Sequence, residues 1–129
     1  MRIVADASVI VEAWTSTSRV AEECRNILAH GLVHVPELLF SEVSHVLRKH
    51  ERLTSVDMSH HIDSLISSPW SASRYEDYGR VAWRFRHDVT MYDASYLALA
   101  VVLRLPLVTL DRKLGSLASR YCEVVIPGE

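Results

Sequence analysis

Cysteine, glycine and proline are all scarce in this chain, whose 129 residues include two cysteines, four glycines and four prolines. Cys24 and Cys122 are too few for a disulfide framework and lack the CxxC spacing of metal and redox motifs, so we expect two free thiols. No internal repeat and no linker of biased composition appears. At this length we therefore expect one domain, residues 1–129, with a real hydrophobic core.

Long hydrophobic runs are also missing. The longest, 97–103, stops at Arg104 and Pro106, well short of the length that spans a membrane. Near the start of the chain, Asp6 and Glu12 interrupt what would be the apolar region of a signal peptide. With 49% hydrophobic and 23% charged residues, the composition is that of a folded protein. We expect a cytoplasmic one.

An excess of positive charge is the third absence. The chain has 14 Lys and Arg against 16 Asp and Glu, a net charge of −2, so it has no global positive field that would attract nucleic acid. This argues against a DNA-binding module that works by phosphate neutralisation alone. An enzyme that meets RNA through a local basic patch and a metal stays open. Arg80, Arg84 and Arg86 around Trp83 fit such a patch, although a solvated helix face would have the same pattern.

Short apolar runs alternate along the chain with longer amphipathic ones. Strands are predicted at 2–6, 32–35, 106–111 and 122–127, and helices at about 9–14, 19–31, 36–50, 54–66, 75–85, 90–104 and 112–120, with a loop at 67–73. Pro36 suits the first turn of its helix, and Thr54 with Asp57 resembles a capping box. The helix at 90–104 is apolar nearly all round, as a central buried helix should be. This alternation predicts an α/β fold with a parallel sheet and helices on both faces.

Two acidic residues, Asp6 and Asp111, each close a short apolar strand. The carboxyl ends of parallel strands are where ligand crevices form in an open sheet. The two carboxylates are therefore expected to meet at one edge of the sheet, although they are far apart in sequence. Taken singly, each is equally well explained as the N-terminal cap of the helix that follows it.

Two further acids lie on predicted helices in apolar surroundings. Glu42 shares its helix face with Leu38 and Val46, inside the arc that should meet the sheet. Asp93 stands in the first turn of the apolar helix, where the helix dipole favours an anion by about 0.3–1 kcal/mol. Removing a lone carboxylate from water costs several kcal/mol, so the dipole by itself does not hold Asp93. Taken singly, a role for Asp93 as N-terminal cap or dipole partner is as plausible as the capping roles of Asp6 and Asp111. One metal site would explain all four acids, because hard ions such as Mg²⁺ or Mn²⁺ bind carboxylate oxygens and relieve their mutual repulsion.

Four segments carry these acids in a recognisable order: "IVADASVIV", "PELLFSEVSHVLRK", "YDASYLALA" and "LVTLDRKL". Together they resemble the PIN-domain nucleases, and among these the VapC-like toxins of bacterial toxin–antitoxin pairs. The resemblance covers essentially the whole chain. It implies a three-layer α/β/α sandwich around a mainly parallel sheet, and hydrolysis of RNA phosphodiester bonds with Mg²⁺ or Mn²⁺. A cognate antitoxin and a homodimer are implied in the same way.

The resemblance also assigns roles to individual residues. The family's four catalytic acids fall on Asp6, Glu42, Asp93 and Asp111, and its two accompanying hydroxyls on Ser8 and Thr109. We expect Asp6, Asp93 and Asp111 to hold the metal, Glu42 to orient or deprotonate the attacking water, and the hydroxyls to hydrogen-bond the carboxylates. Members often have a further acid just after the fourth, but this chain has Arg112 and Lys113 there, so we expect one metal, or a second that is held only when RNA supplies phosphate oxygens. Those two cations are predicted contacts for RNA phosphates.

Two other functions are compatible with parts of this pattern. The first is a catalytically silent binding module that keeps the fold, although retention of all four acids argues against it. The second is a phosphoacceptor signalling domain, which also gathers acids around Mg²⁺ at strand ends. That design needs an acidic pair after the first strand, where this chain has Asp6 alone.

Overall fold

The computed structural model describes all residues from Met1 to Glu129, in five strands and seven helices. The strands are β1 (Arg2–Ala5), β2 (Leu32–Pro36), β3 (Ser71–Ser73), β4 (Leu107–Val108) and β5 (Val124–Val125). The helices are α1 (Ala7–Thr15), α2 (Arg19–His30), α3 (Leu38–Thr54), α4 (Ser59–Ile66), α5 (Tyr75–Arg84), α6 (Met91–Leu103) and α7 (Arg112–Ala118).

All five strands pair in parallel, in the order β3-β2-β1-β4-β5. The central strand β1 pairs with β2, where Ile3 faces Val33, and with β4, where Val4 faces Leu107. The strands β2 and β3 thus extend the sheet on the side of β1, and β5 extends it on the side of β4. The boundary between β1 and β4 is a topological switch point, the place where open parallel sheets form their ligand crevices.

The helices lie in two layers, one on each face of the sheet. Right-handed crossovers place α1 to α4 on one face and α5 to α7 on the other. Accordingly, α1 packs against α2 and α3, whereas α6 packs against α5 and against β1, β2 and β4. This is the α/β/α sandwich that the sequence predicted.

The core centres on β1 and α6. Ile3, Val4 and Leu107 are completely buried, as expected for strands that are covered on both faces. Every residue of α6 from 94 to 100 is buried as well, which confirms the prediction of a helix that is apolar nearly all round. Leu97 and Leu99 are completely buried, whereas Val102, on the outer side of the same helix, is 41% exposed.

The predicted boundaries of two helices are wrong. Pro36 ends β2 instead of opening a helix, and it pairs with Ser73 of β3. Helix α3 begins two residues later and runs to Thr54, which makes the predicted Thr54 capping box impossible. The N-cap residue of α4 is Met58, which makes no side-chain capping bond. Asp57, just before it, accepts hydrogen bonds at Oδ1 from the backbone N–H and the hydroxyl of Ser59 at 2.9 and 2.6 Å.

Segment 67–73, predicted as a loop, contains the edge strand β3. Its residues Ser71–Ser73 are small and mostly exposed, so they carry no apolar alternation that would reveal a strand. The strand pairs with β2 through its backbone, and Trp70, just before it, stacks on Trp14. Both cysteines are free, with Cys24 buried and Cys122 half-buried, as predicted. None of the helices combines the length and the hydropathy needed to cross a membrane.

Replacing Leu99 with alanine should lower the free energy of unfolding by about 2–5 kcal/mol, because it leaves a cavity in the packed layer between α6 and the sheet. Val102→Ala on the exposed side of the same helix should cost less than about 1 kcal/mol. Urea denaturation followed by circular dichroism measures both values. Equal losses for the two variants would contradict the placement of α6 as the central buried helix.

Candidate metal centre at the switch point

Asp6 stands directly after β1 and begins α1. Its extended backbone (φ −90°, ψ 171°) makes it the N-cap residue of that helix, and its N–H donates to the carbonyl of Val108 on β4 at 3.2 Å. The side chain is 5% exposed. Its Oδ1 accepts hydrogen bonds from the backbone N–H of Ser8 at 3.0 Å and from the Ser8 hydroxyl, and its Oδ2 accepts one from Thr109 Oγ1 at 2.5 Å. A buried carboxylate is thereby fixed in place by three donors.

The same two hydroxyls hold the loop that follows β4. Ser8 Oγ accepts the N–H of Leu110 at 3.1 Å, and Thr109 Oγ1 accepts the N–H of Asp111 at 3.0 Å. Each hydroxyl therefore donates to Asp6 and accepts from the loop that carries Asp111. The start of α1 and the end of β4 are joined through one carboxylate.

Asp111 is the N-cap residue of α7, and its Oδ1 accepts the N–H groups of Lys113 and Leu114 at 3.0 and 3.1 Å. Asp6 and Asp111 thus both cap the helices that follow them. Each carboxylate still has an oxygen that can accept a further bond, since Asp111 Oδ2 accepts no hydrogen bond and Asp6 Oδ2 accepts only one. A capping role and a role in a shared site are compatible here.

Glu42 lies at the margin of the core, not inside the apolar arc of α3 as the sequence predicted. Leu39, Val43 and Leu47 form the buried stripe of the helix, and Glu42 on the neighbouring stripe is half-buried. Its Oε1 accepts a hydrogen bond from the hydroxyl of Tyr96 at 2.6 Å. Its Oε2 has no hydrogen-bond partner, and it forms no ion pair.

Asp93 occupies the first turn of α6, as predicted, but Thr90 is the residue that caps the helix. Thr90 Oγ1 accepts the Asp93 N–H at 3.2 Å. The Asp93 carboxylate is half-buried and accepts no hydrogen bond from the rest of the chain. The first turn of α6 therefore carries the acid, and the buried residues 94–100 that follow it pack in the core.

Burial is the main influence on the Asp6 carboxyl group, and it raises the pKa of Asp6 to about 6. Hydrogen bonds from Ser8 and Thr109 act in the opposite direction, and the charge of Glu42 adds to the increase. Burial also raises the pKa of Asp93, reinforced by Asp111 and then by Glu42. The four carboxylates are thus linked by repulsion from Asp6 through Glu42 and Asp93 to Asp111, and we refer to them as the four-acid group.

No cationic side chain neutralises this group. The chain contains two ion pairs, Arg74–Glu76 and Arg112–Glu129, and neither includes one of the four acids. Carboxylates that are crowded without a basic partner are the donor set that hard divalent cations prefer. In the arrangement of the structure, however, no three of these side chains lie close enough together to hold a metal ion. Carboxylate oxygens are suitable ligands for such an ion, but the four side chains lie farther apart than the ligands of a bound metal ion would.

Arg112 and Lys113, the predicted phosphate contacts, are exposed on the first turn of α7. The Arg112 guanidinium is paired with the side chain of Glu129, whereas Lys113 forms no ion pair. Lys113 is the more available of the two cations next to Asp111.

Sequence reasoning missed Tyr96. The prediction treated it as one more member of an apolar helix, and it is indeed 1% exposed. Two signals point to it: it follows Asp93 by three residues, so both lie on one side of α6, and a buried phenol needs a hydrogen-bond partner. That partner is Glu42.

The raised pKa of Asp6 predicts that Asp6→Asn stabilises the metal-free protein at neutral pH. Because the pKa is higher in the folded than in the unfolded state, folding favours the protonated carboxyl. The full stability is present below about pH 4 and is lost as the pH rises through 6, a loss of about 3 kcal/mol in total. Denaturation in EDTA at several pH values should show that the free energy of unfolding of Asp6→Asn increases relative to that of the wild type as the pH rises. Asp63→Asn, on the exposed side of α4, should show no such increase. The same pH dependence of stability in both variants would contradict a buried, desolvated Asp6.

Comparison with known proteins places the chain in a family. Residues 3–119 match the model of the PIN domain. Ribonuclease VapC1 of Mycobacterium tuberculosis is 33% identical over 125 residues, 94% of each chain, and Ribonuclease VapC3 of Pyrobaculum aerophilum is 31% identical over 135 residues, 98% of this chain and 100% of the other.

Solved structures share the architecture. PAE2754 from Pyrobaculum aerophilum has a TM-score of 0.67 at 26% identity and covers 97% of this chain and 84% of its own. VapC20 of Mycobacterium tuberculosis, described as a toxin that cleaves the sarcin–ricin loop, has a TM-score of 0.64 at 16% identity and covers 81% and 86%. VapBC2 of Rickettsia felis, bound to a promoter DNA fragment, has 0.62 at 11% identity and covers 98% of each chain. The chain therefore belongs to the PIN-domain family, among its VapC ribonucleases.

Proposed function

We propose that this chain is a metal-dependent endoribonuclease and the toxin of a toxin–antitoxin pair, with Mg²⁺ or Mn²⁺ as its cofactor. The observation that carries the proposal is the four-acid group: four carboxylates from β1, α3, α6 and the β4–α7 loop, electrostatically linked at the switch point, with no cationic partner. The relatives support the RNA substrate, since those at 30% identity or more are named ribonucleases.

The four acids have different parts in this proposal. Asp6, Asp93 and Asp111 would hold the metal, and Glu42 would orient or deprotonate the water that attacks the phosphate. A divalent cation in such a site lowers the pKa of a bound water and offsets the negative charge of the pentavalent phosphate. Asp6 is fixed by its three hydrogen-bond donors, so its rotamer is set before any ligand arrives.

Asp93, Glu42 and Asp111 retain the freedom that Asp6 lacks. Each has at least one carboxylate oxygen without a hydrogen-bond partner, and each is half-buried or exposed. These free oxygens are the ones that would bind the ion, together with the fixed carboxylate of Asp6.

Two features of the surface are proposed contacts for RNA. Lys113 stands two residues after Asp111 and is free to contact a phosphate. On α5, Trp83 is 57% exposed and the Arg86 guanidinium lies 4.8 Å from the centre of its ring. An exposed aromatic ring with a stacked arginine is suited to an unpaired base and its phosphate.

The proposed partners are a cognate antitoxin, which would occlude the acidic site, and a second copy of the chain. Membership among the VapC ribonucleases supports both proposals. The remaining alternative, a silent binding module with this fold, predicts no cleavage at all, so the assay that follows decides between them.

Asp6→Asn and Asp93→Asn should each reduce cleavage of a single-stranded RNA in Mg²⁺ by roughly 100-fold or more. Each variant keeps the shape of the side chain but removes charge that would hold the metal, an interaction worth several kcal/mol in the transition state. Asp63→Asn is the matched control and should cleave like the wild type. Near wild-type cleavage by either site variant would contradict the assignment, and an inactive wild type would favour the silent module.

Mn²⁺ should stabilise the wild-type fold by roughly 2.7 kcal/mol when its concentration is a hundred times the Kd. The reason is that the ion relieves the repulsion that Asp6 and Asp93 experience in the free protein. Thermal denaturation with and without millimolar Mn²⁺ measures the effect as a shift in Tm. Asp93→Asn should lose most of the shift and Asp63→Asn none of it. A wild-type Tm that does not respond would count against a metal site at these acids.

A further inference from the structure

Tyr96 makes the one side-chain hydrogen bond that joins α3 and α6. Its hydroxyl donates to Glu42 Oε1 at 2.6 Å. The two helices lie on opposite faces of the sheet, so this contact spans the carboxyl edge beside the four-acid group. The Tyr96 ring is 1% exposed and packs in the core, which gives the hydroxyl a fixed position.

The surroundings keep this phenol protonated. Burial raises the pKa of Tyr96 well above its usual range, and the hydrogen bond to Glu42 and the charge of Asp6 add to the increase. At neutral pH, Tyr96 is therefore a constant donor to Glu42.

Glu42 has little else to hold it. It is half-buried, it forms no ion pair, and its second oxygen accepts no hydrogen bond. A glutamate with several rotatable bonds, repelled by Asp6 and Asp93, would turn toward solvent without an anchor. The Tyr96 hydroxyl binds one oxygen and leaves the other available to the site.

We propose that Tyr96 is a positioning residue for the nuclease reaction: its hydroxyl holds the Glu42 carboxylate within the four-acid group, with Oε2 free to receive the attacking water. This inference rests on the proposed function. It assigns to Tyr96 no contact with RNA or metal. Its effect passes entirely through Glu42.

The chain supplies a matched control for the test. Tyr78 on α5 is also buried, 2% exposed, and its hydroxyl makes no hydrogen bond to any of the four acids. Tyr96→Phe and Tyr78→Phe thus each remove one tyrosine hydroxyl from the same core, but only Tyr96→Phe removes the anchor of Glu42.

The experiment combines kinetics with a spectroscopic reading that needs neither metal nor RNA. We expect Tyr96→Phe to lower kcat about 10–100-fold with little change in KM, and Tyr78→Phe to change kcat by less than about threefold. In a Glu42→Gln background, Tyr96→Phe should cause little further loss, because the two residues act as one unit. Incorporating 3-fluorotyrosine at position 96 keeps the ring and the donor, and should keep kcat within about threefold of the wild type.

The carboxyl ¹³C resonance of Glu42, identified by its absence in Glu42→Gln, should shift in Tyr96→Phe and not in Tyr78→Phe. An unshifted resonance would show that the anchor does not exist in solution and would overturn the inference. A shifted resonance with unchanged kcat, or an equal loss of kcat from Tyr96→Phe in the wild-type and Glu42→Gln backgrounds, would overturn the positioning role. If the wild type does not cleave RNA in Mg²⁺ or Mn²⁺, the proposed function itself fails, and the resonance still reports whether the contact exists.

Discussion

The hydrogen bonds that Ser8 and Thr109 donate to the buried carboxylate of Asp6 are the interaction on which the rest of the site depends. They place a charge at the boundary between β1 and β4, where the direction of sheet construction reverses. Both hydroxyls also accept backbone N–H groups from the loop after β4, so the position of Asp111 is set by the same bonds that fix Asp6. Burial acts against the charge of this carboxylate and raises the pKa of Asp6 to about 6, whereas the hydrogen bonds from Ser8 and Thr109 favour the charged form.

The sequence predicts the features that burial periodicity controls, and it fails where backbone pairing or local hydrogen bonds decide. The parallel sheet and the apolar helix α6 are evident because each has a hydrophobic signature of its own. Strand β3 has none, since Ser71–Ser73 contributes only main-chain groups to the sheet edge. The predicted helix starts at Pro36 and Thr54 are wrong for a different reason. Each residue fits both the end of one element and the start of the next, and tertiary contacts determine which position it takes.

The candidate site shows the same division. Unusual surroundings in the sequence were enough to select Asp6, Glu42, Asp93 and Asp111, because a carboxylate within an apolar pattern is conspicuous. Tyr96 was not conspicuous, since a tyrosine in an apolar helix is ordinary, and only its distance to Glu42 reveals its role. The depth of Glu42 was also overestimated, because a sequence pattern gives the face of a helix but not how far the sheet extends beneath it.

The four acids differ in how firmly the rest of the chain holds them. Asp6 cannot move without breaking three hydrogen bonds, and Glu42 is held at one oxygen by Tyr96. Asp93 has no such restraint, and the charges of Asp111 and Glu42 both act against its ionisation. Asp93 is therefore the acid whose charged form the fold itself does least to stabilise. A divalent cation held by these carboxylates, as proposed above, would supply the counter-charge that no side chain of the protein gives to Asp93.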